Sequence, residues 1–237
     1  MALVDLRTAI VLAGGRGMRL RPYTEDIPKP LIEIDGHPIL YWIAKWLERN
    51  GIKRMVIGVA HKKEKIIKWV DSIKSEFSLE IFISEHFIES STGGGIKYAI
   101  KNAEITDSCF LAMNGDELTD VSLSNFFRFH IGNNKIATIL ATPLRSNFGV
   151  VEIGENNIVH AFKEKPIIDN IFINSGVYLL SPEIDSYLPW EGDIERTSFV
   201  SLSKEQQLVA FRYFGFWRTV NTEKDLEVMQ REIEYLR

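Results

Sequence analysis

A loop rich in glycine and arginine follows the first apolar run of the chain. Its sequence is Leu12-Ala13-Gly14-Gly15-Arg16-Gly17-Met18-Arg19-Leu20-Arg21-Pro22. Three glycines within four positions permit positive φ and a close approach of the backbone, so that successive N–H groups converge on an anion. The arginines add fixed cations that make bidentate contacts with phosphate. The loop therefore predicts a phosphate-binding site, although a solvated basic turn would have the same composition.

A lysine between two prolines, in Pro28-Lys29-Pro30, lies beyond this loop. A residue that precedes proline is restricted to extended backbone, which limits the directions that the Lys29 side chain can take. Loop and lysine together predict a site for a nucleoside triphosphate. A dinucleotide-binding loop is excluded because Leu20 stands where its fingerprint requires a small residue. The Gly-Lys-Ser/Thr ending of a P-loop does not occur in the sequence.

Two further groups of residues each follow an apolar run. Asp116, in Asn114-Gly115-Asp116, comes after a predicted strand, and a carboxylate beside a triphosphate is suited to Mg²⁺. The segment 92–95 begins a predicted helix, where free N–H groups and three glycines would let a flat base lie against the backbone. The plainer alternatives are an aspartate that caps a turn and a helix with Thr92 as its N-cap.

The elements that must position these residues alternate between short β-type runs and amphipathic helices. The predicted strands are residues 8–12, 54–59, 79–83, 109–113 and 136–142, and the predicted helices are 38–50, 64–73, 92–102 and 123–131. This alternation implies right-handed crossovers and a doubly wound, mostly parallel, Rossmann-like α/β sheet. Ligands of such sheets bind beyond the carboxyl ends of the strands, where we expect the glycine loop and Asp116.

The pattern changes after Pro143. Residues 149–153 and 158–162 predict a β-hairpin, 171–180 a strand and 224–236 a final amphipathic helix. We therefore expect one domain over residues 1–237, in which 1–142 form the half with the glycine loop and 143–237 form a β-rich lobe packed on the sheet.

The bulk composition is that of a globular protein, with 45% hydrophobic and 25% charged residues. A net charge of −4 gives no basic field, which disfavours nucleic acid as a partner. The one cysteine, Cys109, is predicted to fill the core. The apolar run 8–13 is too short for a signal peptide or a membrane span, so we expect a cytoplasmic protein without membrane contact. Association into a homo-oligomer is left open.

The loop and its neighbours resemble the signature of the sugar-1-phosphate nucleotidyltransferases. The matching residues are Gly14-Gly15-Arg16-Gly17-Met18-Arg19-Leu20, Pro22, Thr24 and Pro28-Lys29-Pro30. Segments 89–96, 114–116, 162–166 and 174–178 are similar to further family landmarks, in the same order along nearly the whole chain. This family joins a nucleoside triphosphate to a sugar 1-phosphate and releases pyrophosphate, with Mg²⁺ as cofactor.

The resemblance implies a role for each matching residue. Nucleotide binding falls to Leu12, Ala13, Gly14, Gly15, Gly17, Thr92, Gly93 and Gly94. Arg19 with the loop amides would hold the β- and γ-phosphates, Lys29 the α-phosphate, and Asp116 the Mg²⁺. The sugar phosphate and sugar would be bound by the predicted lobe, through Gly149, Glu164, Lys165 and Asn174.

The chain departs from the family pattern at three places. Met18 replaces a Ser or Thr, and Ser90-Ser91 replaces Leu-Gly. Thr219 stands where relatives carry a second aspartate ligand to magnesium. Because a hydroxyl lacks the charge of a carboxylate, either the metal is held by Asp116, phosphates and water, or catalysis is weak.

These residues predict an enzyme in which the sugar phosphate oxygen attacks the α-phosphorus in line, without a covalent intermediate. Positioning and charge neutralisation would supply the catalysis. The resemblance to compact members of the family, which often use GTP with mannose or heptose 1-phosphate, implies these substrates. Thymidylyl or uridylyl transfer to glucose 1-phosphate is the close alternative, and a catalytically silent sugar-nucleotide-binding subunit is another.

Overall fold

The computed structural model describes residues 6–236. A seven-stranded sheet forms the centre of the fold. The strands are β1 (Thr8–Leu12), β2 (Glu33–Ile34), β3 (His37–Pro38), β4 (Arg54–Val59), β5 (Glu80–Glu85), β6 (Phe110–Asn114), β7 (Glu117–Thr119), β8 (Ala137–Arg145), β9 (Val150–Ile153), β10 (Val159–Lys163), β11 (Ile167–Leu180), β12 (Leu208–Arg212) and β13 (Trp217–Thr219). The α-helices are α1 (Ile39–Arg49), α2 (Lys63–Ile73), α3 (Ser91–Asn102), α4 (Leu123–Asn133), α5 (Ser198–Lys204) and α6 (Glu223–Glu232).

The strands of the main sheet follow the order β12-β8-β11-β6-β1-β4-β5. Strands β5, β4, β1 and β6 are parallel neighbours, and β8 and β12 run in the same direction as they do. Only β11 among these seven runs the opposite way, between β6 and β8. The predicted mostly parallel α/β sheet is confirmed.

Both faces of this sheet are covered, as expected for parallel strands with continuous apolar runs. Successive side chains of β1 point to opposite faces, so Val11 packs in one buried cluster and Ile10 in the other. Helix α1 contributes Leu40 to the first cluster, and α3 contributes Ile96 to the second. The core therefore fixes β1, and with it the start of the glycine loop.

The second half of the chain differs from the expected lobe in one respect. Strand β11 starts at Ile167, earlier than expected, and its last six residues are buried inside the main sheet. Its first half is largely exposed and pairs with the end of β8. The predicted hairpin is confirmed as the two-stranded sheet β9–β10. Residues 143–236 thus complete the main sheet rather than merely pack on it.

Two smaller expectations concern burial and membranes. Cys109 is fully buried, as predicted for a core residue, and burial raises the pKa of its thiol to about 12. Across residues 6–236, none of the helices combines the length and apolar character that a membrane span requires.

A buried histidine joins α4 to the sheet. His130 is 1% exposed, with Nδ1 2.8 Å from Thr138 Oγ1 and Nε2 3.1 Å from Ser181 Oγ. Burial lowers its pKa from 6.5 to about 4. The neutral ring is therefore part of the folded structure at neutral pH.

We predict that His130 makes the fold sensitive to acid. The unfolded chain binds the histidine proton more readily than the folded chain, so this contribution to stability is fully present above about pH 6.5 and decreases as the pH falls towards 4. Between pH 7 and pH 5 the loss should be about 2 kcal/mol. Urea unfolding of wild type and His130→Gln at both pH values measures it, and an equal loss in both proteins would contradict the assignment.

Candidate active site

The turn at the end of the glycine loop (residues 13–17) requires glycine for two reasons. Gly17 has a φ of 62°, which disfavours a side chain. An added Cβ would also lie 2.9 Å from Thr24 Cγ2 and 3.2 Å from Lys29 Cβ. The Thr24 hydroxyl donates a 2.8 Å hydrogen bond to the Gly17 carbonyl. The loop is thus folded directly onto the segment that carries Lys29.

Backbone hydrogen bonds hold the loop against the turn that follows β6. The Gly115 N–H donates to the Leu12 carbonyl at 2.8 Å, and the Ala13 N–H donates to the Gly58 carbonyl at 2.7 Å. A Cβ on Gly115 would lie 2.8 Å from the same Leu12 oxygen. The carboxyl ends of β1, β4 and β6 therefore bring the glycine loop and Asp116 side by side, as the sequence predicts.

A cavity of about 620 Å³ opens at this edge of the sheet. Its lining contains nine of the residues assigned from the sequence: Leu12, Ala13, Gly14, Gly15, Gly17, Arg19, Lys29, Thr92 and Asp116. It also contains residues that the sequence did not single out, among them His86, Glu89 and Asn221.

The Lys29 side chain is the centre of the polar contacts in this cavity. It is 9% exposed and forms an ion pair with Asp116. Its ammonium also donates to Asn221 Oδ1 at 2.9 Å, and Asn221 Nδ2 donates to Thr219 Oγ1 at 2.9 Å. A nearly buried ammonium needs such partners because burial of an unpaired charge is costly. Asn221 lies two residues after Thr219, which the family pattern marks, but no role was assigned to Asn221 from the sequence.

Thr219 does not line the cavity but reaches it through Asn221. In the β13–β7 pair it lies opposite Glu117, whose side chain is 7% exposed. Burial and the Asp116 carboxylate raise the pKa of Glu117 well above its usual value, although Lys29 opposes the shift. Glu117 does not line the cavity, so it does not replace the carboxylate that Thr219 lacks. Asp116 is the carboxylate that the cavity presents beside Lys29.

The three loop arginines divide between two cavities. Arg19 is exposed, lines the first cavity and has no ion pair within residues 6–236. Arg16 lines the first cavity and also a second of about 500 Å³, where Arg21, His61 and Lys62 join it. Burial, followed by these cations, lowers the pKa of His61. The arginines of the loop therefore face two cavities and do not all converge on one phosphate site.

The His86 ring lines the cavity, but its Nε2 atom is buried beside Gly14 and Gly95. Its Nδ1 lies 2.8 Å from the Phe87 carbonyl, which places the ring proton on Nδ1 and a lone pair on Nε2. Burial lowers the pKa of His86, so the neutral ring is favoured. Within the described residues the buried Nε2 atom finds no hydrogen-bond partner. A Cβ on Gly14 would lie 2.9 Å from His86 Cε1, which explains that glycine by packing.

The start of α3 differs from both sequence interpretations. Ser90 is the N-cap residue, and the Thr92 hydroxyl instead donates to Glu195 Oε2 at 2.7 Å. Gly93 and Gly94 do not line the cavity. The Gly93 N–H donates to the Gly192 carbonyl at 2.9 Å. Because Gly93 and Gly94 have no side chains, residues 189–192 can pack against the helix.

The residues assigned to the sugar lie outside the cavity lining. Glu164 and Lys165 are exposed and form a 3.4 Å ion pair beyond β10. Gly149 belongs to the same cluster, because a Cβ there would lie 3.0 Å from Glu164 Oε2. Asn174 is apart from them on β11, where its Nδ2 donates to Tyr178 Oη at 2.9 Å.

Comparisons with known proteins show the family and the fold of this chain. Residues 8–234 match the family described as Nucleotidyl transferase. A probable glucose-1-phosphate cytidylyltransferase of Bacillus subtilis is 32% identical over 92% of either chain. The mannose-1-phosphate guanyltransferase of Saccharomyces cerevisiae is 30% identical, over 91% of this chain and 62% of its own length. The crystal structure of HddC from Yersinia pseudotuberculosis has a TM-score of 0.76 and 25% identity, over 96% of this chain and 100% of that one.

We predict that Gly94 is required for packing against residues 189–192. A methyl group there would lie 2.1 Å from the Trp190 carbonyl oxygen, so Gly94→Ala should destabilise the protein by about 1–3 kcal/mol. Gly132, also inside a helix, has no atom within 4 Å of an added Cβ. Gly132→Ala is therefore the matched control and should stabilise by about 0.5–1 kcal/mol. Urea unfolding compares them, and similar values for the two variants would refute the packing role.

Proposed function

Because this chain belongs to the nucleotidyl transferase family, we propose that it transfers GMP from GTP to mannose 1-phosphate or a heptose 1-phosphate and releases pyrophosphate. The names of two relatives given above share a sugar 1-phosphate acceptor and differ in the base. Nucleotidyl transfer to a sugar 1-phosphate is thus common to them. We place the reaction in the cytoplasm, where nucleoside triphosphates are made.

The phosphates of the nucleotide fit the basic end of the cavity. Arg19 carries a guanidinium there that has no ion pair among residues 6–236, and the glycine loop offers backbone N–H groups beside it. Lys29 lies deeper, where it would contact the α-phosphate while the sugar phosphate oxygen attacks. The dianion of a phosphate monoester is already a nucleophile, so these side chains need only orient the reactants and neutralise charge.

The donor atoms beside Lys29 suit Mg²⁺ that arrives with the triphosphate. Asp116 offers a carboxylate and Asn221 an amide oxygen, and such hard oxygen atoms are the ligands that Mg²⁺ prefers. Mg²⁺ commonly uses one or two carboxylates together with waters and substrate phosphates. When bound, it would neutralise charge on the phosphates. The single carboxylate beside Lys29 in the cavity lining therefore fits a metal–triphosphate complex, and Thr219 need not act as a ligand.

The Glu89 carboxylate is the observation that supports GTP. It lines the cavity near the start of α3, which the family resemblance places at the base. Guanine presents adjacent N1–H and N2–H donors, whereas cytosine has one amine and uracil or thymine one imide N–H. The two oxygens of a carboxylate accept from both guanine donors at once, so guanine fits Glu89 best. The HddC structure has also been solved in complex with GMP-PN.

On the sugar side, the proposal uses residues that do not line the nucleotide cavity. Lys165 would bind the sugar phosphate, with Gly149 beside it, and Glu164 and Asn174 would bind sugar hydroxyls. The exposure of Glu164 and Lys165 leaves both side chains accessible to a ligand. Their mutual ion pair would be exchanged for contacts with the sugar phosphate.

We predict that GTP with mannose or heptose 1-phosphate will give the highest kcat/KM. Pyrophosphate release is measured for GTP, CTP, UTP and dTTP, each with mannose, heptose and glucose 1-phosphates. The matched control is Asp116→Asn, which keeps the shape of the side chain but removes its charge and should lower turnover at least about 100-fold.

Each other outcome has a definite meaning. Faster reaction of CTP with glucose 1-phosphate would replace the GTP proposal by cytidylyl transfer, which the relative of Bacillus subtilis favours. Absence of pyrophosphate with every pair, in protein that binds nucleotide, would show a silent binding subunit.

A further inference from the structure

We propose that Glu195 is a positioning residue whose carboxylate fixes Thr92 on the nucleotide side and, through Tyr178, Asn174 on the sugar side. This inference rests on the proposed function for the roles of Thr92 and Asn174. The relay itself rests on contacts between side chains that are far apart in the sequence.

The two oxygens of Glu195 serve different substrate sides. Oε2 accepts a 2.7 Å hydrogen bond from the Thr92 hydroxyl, and Oε1 accepts a 3.0 Å bond from the Tyr178 hydroxyl. Tyr178 Oη in turn accepts a 2.9 Å bond from Asn174 Nδ2. One carboxylate thus joins a residue that lines the nucleotide cavity to the asparagine assigned to the sugar.

The donors and acceptors of this relay determine the orientation of the Asn174 amide. The Tyr178 hydroxyl has one proton, which it donates to Glu195, so it can only accept from Asn174. The Asn174 Oδ1 atom accepts a 2.9 Å bond from the Gly176 N–H. One Nδ2–H of the exposed Asn174 amide therefore remains as a donor for a sugar oxygen.

Burial and backbone contacts keep the relay in place. Tyr178 is 1% exposed, and burial together with the Glu195 charge raises the pKa of its hydroxyl well above the usual value. It therefore stays a donor at neutral pH. The Thr92 hydroxyl also accepts a 3.0 Å bond from the Ile194 N–H, which fixes it beside Glu195. In residues 6–236, Glu195 has these two hydroxyl donors and no ion pair with a cation.

A positioning role predicts a pattern of KM values that a structural role does not. Glu195→Gln should raise KM for both GTP and mannose 1-phosphate by about tenfold, because one hydroxyl loses its acceptor and the bond to the other loses its charge assistance. Tyr178→Phe should raise KM for mannose 1-phosphate alone, and Thr92→Val should raise KM for GTP alone. In each variant kcat should change less than KM. The control is Glu205→Gln, since Glu205 accepts a 2.6 Å bond from the Tyr187 hydroxyl in an exposed Glu–Tyr pair outside the relay.

A second measurement needs no substrate. The side-chain amide of Asn174 is observed by ¹H–¹⁵N NMR in ligand-free protein, and its signals should shift in Glu195→Gln and in Tyr178→Phe but not in Glu205→Gln. Unchanged signals in Glu195→Gln would overturn the relay, as would KM values equal to those of wild type. If wild type binds neither GTP nor mannose 1-phosphate, the proposed substrates are wrong, while the NMR result still decides whether the relay exists.

Discussion

The ion pair between Lys29 and Asp116 is the interaction on which the site depends. These residues are 87 positions apart, and Asn221, which shares the Lys29 ammonium, is a further 105 positions along the chain from Asp116. Removal of Asp116 would leave the nearly buried Lys29 ammonium without its anionic partner, which is costly. These contacts form only when the segment around Lys29, the turn after β6 and the connection from β13 to α6 lie together.

The proposed metal–triphosphate substrate would satisfy both members of this pair at once. Its phosphates would offer Lys29 an anion and its cation would offer Asp116 a positive partner, so neither charge would be left unpaired when substrate replaces the ion pair. Asn221 lies within reach of the same group and bonds to the uncharged Thr219. A second carboxylate at position 219 is therefore not needed to balance Lys29, and the departure from the family pattern is consistent with an active enzyme.

Much of this arrangement follows from local pattern, and the rest depends on distant contacts. The glycine loop, Lys29 and Asp116 were predictable because each follows or flanks a recognisable element, and parallel strands gather such ends at one edge. The course of β11 was not predictable, because the first half of this strand is exposed and pairs with the end of β8, whereas its second half is buried inside the main sheet. Gly94 looked like a base contact, but its lack of a side chain is explained by the Trp190 carbonyl. Glu195 carries no motif, and only tertiary structure brings it to Thr92.

Binding of Mn²⁺, a paramagnetic substitute for Mg²⁺, tests the central role of the ion pair most directly. Electron paramagnetic resonance titrations compare wild type, Lys29→Met and Asp116→Asn without nucleotide. Because Lys29 occupies the Asp116 carboxylate, wild type should bind Mn²⁺ weakly, and Lys29→Met should bind about tenfold more tightly, which corresponds to about 1.4 kcal/mol. Asp116→Asn should lose this site. An affinity of Lys29→Met equal to that of wild type would contradict the account, since Lys29 would then not control access to Asp116.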